Sequence, residues 1–124
     1  MPAGDSYLYK GTKGSEAHGM GYINTITDII QWGRDKGLND PKAQLNKVIE
    51  EVGEIAHEIT RNHYDLNAID QPDELVDALG DSFVTLLILS DILGVDPLDA
   101  MFTALEAIKN RKGKTVNGTF VKAE

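Results

Sequence analysis

The chain has 124 residues, the size of one domain, long enough for a modest core and too short for two ordinary domains. Its 12 Lys+Arg against 20 Asp+Glu leave a formal charge of −8 and a pI of about 4.7, which excludes a duplex-DNA binder that works by neutralising phosphates. The absence of cysteine excludes a disulfide scaffold, a thiolate zinc site and a cysteine nucleophile, while 41% hydrophobic and 26% charged residues are the proportions of a folding chain.

Residues 1–21 are rich in Gly, Ser and Thr with no hydrophobic period, and read as an N-terminal arm without assigned chemistry. No apolar run follows a basic start, and the longest apolar stretch, Phe83 to Leu89, contains Thr85 and is far short of a bilayer span. A cytoplasmic protein without membrane or duplex nucleic-acid partners is expected. From residue 22 the pattern changes, because Ile23, Ile26 and Ile30 share one helix face and Gly37 offers a stop, which predicts a first helix over 22–36. Asp40-Pro41, Gln71-Pro72 and Asp96-Pro97 each set a proline at an expected first helical position, with Asp40 and Asp96 as N-caps.

A second helix is predicted over 41–61, with Leu45, Val48, Ile49, Val52, Ile55, Ala56 and Ile59 as its apolar stripe, and a third over 72–93, ending before Gly94. A fourth is predicted over 97–110, with Leu98, Met101, Phe102, Leu105 and Ile108 buried and Gly113 as terminator; the tail 113–124 reads as a small hairpin around Asn117-Gly118. The expected fold is all-α, a four-helix bundle-like protomer over 22–112.

Acid placement carries the chemistry. Glu50, Glu51, Glu54 and Glu58 lie on the second helix and Glu74, Asp77 and Asp81 on the third, an EExxE followed by an ExxD. Residues three apart on a helix are neighbours, so Glu51 with Glu54 and Glu74 with Asp77 form pairs, and two such helices packed together would converge four carboxylates. Taken alone, an EExxE is most often a solvated acidic face. The third helix weighs against that, because the stripe of Glu74, Asp77 and Asp81 continues into Val84 and Ile88 while Leu86, Leu87 and Leu89 cover the other sides. A helix apolar nearly all round must be enclosed, which points to a core completed by oligomerisation with the acids at its edge. Carboxylate ligands without cysteine suit Mg²⁺, with Mn²⁺ as a substitute.

Glu54-Ile-Ala-His57 is half of a di-iron signature, but the third helix supplies ExxD where a second Glu-x-x-His is required. His18, His57 and His63 receive no role. P-loop, EF-hand and nucleophile-elbow motifs are missing from the sequence. Lys109, Asn110, Arg111, Lys112 and Lys114 crowd the end of the fourth helix, where the helix dipole favours cations and where they could also hold outer phosphates. Trp32, the lone tryptophan, lies off the Ile23, Ile26, Ile30 stripe, available to pack on a partner helix or to stack on a base.

The run Ala43-Gln44-Leu45-Asn46-Lys47-Val48-Ile49-Glu50-Glu51-Val52-Gly53-Glu54, with Asp73-Glu74-Leu75-Val76-Asp77, resembles the MazG-like nucleotide pyrophosphohydrolases of the all-α NTP pyrophosphatase superfamily, over roughly residues 22–112. The resemblance implies Mg²⁺-dependent conversion of a (d)NTP to the monophosphate and pyrophosphate, nucleotide-pool house-cleaning, by a homodimer or homotetramer. It makes Glu51, Glu54, Glu74 and Asp77 the metal ligands, Glu50 the acid that orients or activates water, and Lys47, Asn110 and Arg111 phosphate contacts. Asp81 is an additional acid that the family pattern does not assign. The alternative from another class is a non-catalytic helical adaptor or regulatory module. Residues 22–108 hold five basic and seventeen acidic side chains, a net of −12, while residues 109–124 carry +4, so the acidity belongs to the helical body.

Overall fold

Helix starts and stops in this chain are set by capping aspartates, prolines and left-handed glycines. The computed structural model describes residues 21–61 and 71–124, and the predicted arm, apart from Gly21, and the 62–70 segment lie outside them. The described elements are α1 (Tyr22–Asp35), α2 (Pro41–Arg61), α3 (Asp73–Ile92), α4 (Pro97–Lys109), β1 (Gly113–Val116) and β2 (Thr119–Lys122). The all-α class is as expected.

Asp40 accepts from the backbone N–H of Lys42 at 2.9 Å and of Ala43 at 3.3 Å, and Asp96 from Leu98 at 2.8 Å and Asp99 at 3.3 Å. Both satisfy orphan donors of a first turn that opens on proline. Pro72 departs from the expectation: it is itself the N-cap, with extended backbone and no side-chain cap, and the helix begins at Asp73. Gln71 is a poor capping residue beside Asp40 and Asp96, so the boundary moves one residue inward. At the C-termini, Gly37 and Gly94 both adopt φ 71°. The N–H of Leu38 bonds the carbonyl of Gly33 and that of Val95 the carbonyl of Ser90, so α1 and α3 end in the same Schellman motif.

Gly113 is not a helix terminator. It opens β1, where an added Cβ would run into the carbonyl of Val121 and the ring of Phe120, and Asn110 caps α4 instead. β1 and β2 pair antiparallel, Gly113 opposite Lys122 and Val116 opposite Thr119. Asn117 (φ 51°) and Gly118 (φ 80°) both take the left-handed conformation that a two-residue hairpin turn requires.

The most extensive packing is between α2 and α3. The Gln44 Nε2 donates to the Thr85 carbonyl at 3.0 Å, and both residues are buried. With that contact a parallel pair would overlap only near the end of α3, so the extent of the packing makes the pair antiparallel. The α2 residues withdrawn from solvent are Gln44, Val48, Glu51, Ile55 and Glu58, in steps of four and three; on α3 they include Leu75, Ala78, Ser82, Thr85 and Ile88. α1 crosses α3 where Gly33 meets Ile88, at a spacing that leaves a Cβ on Gly33 only 3.1 Å from the isoleucine. Arg34 and Asp91 clamp this crossing with two hydrogen bonds of 2.9 and 2.6 Å.

α4 leaves the end of α3 at 103° and, among the described elements, packs on α3 alone. Its expected buried stripe is therefore exposed, with Phe102 at 62%. Leu45, Ile49, Val52 and Ile59 of the α2 stripe are exposed as well, as are Val76, Leu79, Phe83 and Leu86 of α3. The reason is geometric: α2 and α4 each have α3 as their one helical neighbour among the described elements, and the neighbours of α3 leave its Val76, Leu79, Phe83 and Leu86 flank uncovered, so only Leu75, Ala78 and Ile88 make up the buried apolar core of the described residues. No single described helix is long and apolar enough to cross a membrane.

Candidate metal centre

The Gln44–Thr85 contact fixes the height of every acid on the α2–α3 pair. In an antiparallel pair with equal rise, Glu51 stands level with Ala78 and Glu54 with Leu75, so EExxE and ExxD occupy the same stretch of the groove. Helical rotation fixes the side. Glu50 and Glu54 lie on one flank of the α2 packing stripe, and Glu74, Asp77 and Asp81 on the corresponding flank of α3; opposed chain directions bring both flanks to one side of the pair. The exposed apolar residues of α2 and α3 fall on the opposite side.

Among the acids of EExxE and ExxD, Glu51 alone belongs to the packing stripe, its side chain 13% exposed. Glu50, Glu54, Glu74, Asp77 and Asp81 are exposed. The Lys47 Nζ lies 3.2 Å from Glu51 Oε1 and 3.3 Å from Glu50 Oε1. These carboxylates, Glu51 foremost, raise the Lys47 ammonium above the ordinary lysine range. Lys47, expected at substrate phosphates, is here the counter-ion of two motif acids.

Among the described residues, no three His, Asp or Glu side chains gather closely enough to hold a metal ion. The acids share a side and a height, and their carboxylates do not gather into one cluster. The donor chemistry fits a hard divalent cation: carboxylates on facing helices, no thiolate, and an ammonium already drawn to the innermost one.

The remaining expected site residues are not beside these acids. Asn110 Nδ2 donates to the Glu106 carbonyl at 3.3 Å and the Arg111 N–H to the Ile108 carbonyl at 3.1 Å, so both finish α4, which does not pack on α2. Trp32 is 51% exposed on α1, next to the Gly33 crossing. His57 is exposed on α2, and no second Glu-x-x-His accompanies it. A cavity of about 380 Å³ is lined by Ile23, Ile26, Ile30, Arg34, Asp91 and the 94–98 turn. It sits at the far end of α3 from the acids, about 20 Å along the helix axis. Sequence reasoning missed the Arg34–Asp91 clamp, whose partners are 57 residues apart with no spacing signal, and the buried Gln44, whose signal was a polar residue on a packing stripe.

The MazG nucleotide pyrophosphohydrolase domain matches residues 39–116, from the turn before α2 through β1. The chain is also 34% identical over 68 residues to an uncharacterized 18.2 kDa protein of the rep-hol intergenic region of Haemophilus phage HP1 (strain HP1c1). That similarity covers 52% of this chain and 37% of the phage protein. No solved structure matches the chain.

Proposed function

We propose, from the premise that this chain belongs to the MazG nucleotide pyrophosphohydrolase family, that it hydrolyses a (d)NTP to the monophosphate and pyrophosphate with Mg²⁺, clearing nucleotides from the pool. The observation that supports this reading is the placing of EExxE and ExxD at one height on one side of the α2–α3 pair. Glu51, Glu54, Glu74 and Asp77 would hold the ion, with Mn²⁺ as a substitute. A bound dication supplies neutralisation of the phosphate charge against which a nucleophile must approach.

The protein's own groups do the rest. Glu50, exposed beside Glu51, orients the attacking water and accepts its proton; the water oxygen bonds the α-phosphorus as the bond to the bridging oxygen breaks, and pyrophosphate leaves with the electron pair. Lys47, Asn110 and Arg111 meet phosphate oxygens, and Trp32 offers an exposed ring for a base. Because α4 carries Asn110 and Arg111 off the far end of α3, they reach acids of another copy in a homodimer or homotetramer. The apolar side formed by Leu45, Ile49, Val52, Ile59, Val76, Leu79, Phe83 and Leu86 is the surface that a second copy covers.

The test incubates the protein with a panel of (d)NTPs and Mg²⁺ and separates pyrophosphate from phosphate release. Pyrophosphate with monophosphate, lost in Glu54→Ala, is the expected result; phosphate alone, or no product with any nucleotide, overturns the reading in favour of a non-catalytic helical module.

A further inference from the structure

We propose that Lys47 is the resident counter-cation of the acid groove, holding Glu51 where a divalent ion would bind and leaving that carboxylate when one does. The inference rests on the reading of Glu51 as a metal ligand. Glu51 is the motif acid set into the packing stripe, 13% exposed, so among the EExxE and ExxD acids it is the one least able to rely on water for its charge. Lys47 stands one helical turn before it and supplies the missing cation at 3.2 Å, sharing its ammonium with Glu50 at 3.3 Å.

The same pair is built to open. The Lys47 side chain is 49% exposed on a flexible four-carbon stem, and ion pairs with an exposed partner are weak. A dication carries twice the charge and can take Glu51 together with acids of the facing helix, so it outcompetes the ammonium. Displaced from Glu51, the ammonium stays within a stem's length of the groove, free for a phosphate oxygen of the incoming nucleotide. Metal occupancy and nucleotide affinity are thereby coupled, each strengthening the other.

Mg²⁺ alone is titrated calorimetrically into the full chain as wild type, Lys47→Met, Lys47→Arg and Lys42→Met. Lys47→Met is expected to bind Mg²⁺ about two- to tenfold more tightly, the range that two weak ion pairs allow. Lys47→Arg, which keeps the charge, shows no gain, and Lys42→Met, which removes an exposed charge from the first turn of the same helix, matches the wild type. Unchanged or weaker binding by Lys47→Met, or an equal gain in Lys42→Met, overturns the proposal while leaving the metal reading intact. Failure of wild type and Lys47→Met alike to bind Mg²⁺ overturns both. A second readout needs no variant: in nitrogen-detected NMR of the lysine side chains, the Lys47 ammonium becomes freely rotating when Mg²⁺ is added, and an unaltered signal overturns the proposal.

Discussion

Gln44 sets the register of the α2–α3 pair, and through it the height at which two acidic motifs meet. Its amide is buried against the Thr85 carbonyl, a polar contact inside an otherwise thin apolar core. Gln44→Met keeps the volume and removes the donor, and is expected to lower unfolding stability by about 1 kcal/mol in urea titrations. The Arg34–Asp91 clamp makes a different prediction. Hydrogen bonding to Arg34, ahead of the charge attraction, holds the Asp91 carboxyl below the usual carboxylate range. A group with a depressed folded pKa stabilises the fold above its unfolded pKa, about 3.9 for Asp, and that stabilisation is lost as pH falls through the folded value. Asp91→Asn is therefore expected to melt below wild type at neutral pH, with the gap closing in acid below about pH 4. A gap that persists in acid would place the role of Asp91 in packing and not in its charge.

At the scale of elements, local chemistry dominates. Nothing lies within 4 Å of a Cβ built on Gly94, and its φ is 71°, so Gly94→Ala costs only backbone strain, about 1 kcal/mol by thermal or chemical unfolding. Asp96→Ala removes two acceptor contacts from the start of α4 and is expected to cost about 1 kcal/mol, in the same measurement. Elements governed by such signals were legible in the sequence: the Asp-Pro starts of α2 and α4, the Gly ends of α1 and α3, and the Asn-Gly turn of the hairpin. Pro72 and Gly113 were not. Each is a strong punctuation residue whose meaning depended on a neighbour, Gln71 as a poor cap in one case and the Phe120 ring across the hairpin in the other.

For the whole molecule, the two sides of the α2–α3 pair separate the proposed chemistry from the proposed assembly. Phe83→Asp on the apolar side is expected to shift the chain towards monomer in sedimentation velocity, while Asp81→Asn on the acidic side leaves its assembly unchanged. A monomeric wild type would overturn that division of roles. Helix identity, the helix limits set by Asp-Pro starts and Gly ends, and the pairing of acids along each helix follow from the amino-acid sequence by itself, since periodicity, caps and turns act within a few residues. Which acids stand level, which one is shielded and held by Lys47, and which apolar faces find no neighbour were decided only by tertiary structure. Those outcomes depend on the register and crossing of helices joined by contacts 41 and 57 residues apart, Gln44 with Thr85 and Arg34 with Asp91, and no local pattern encodes a distance of that kind.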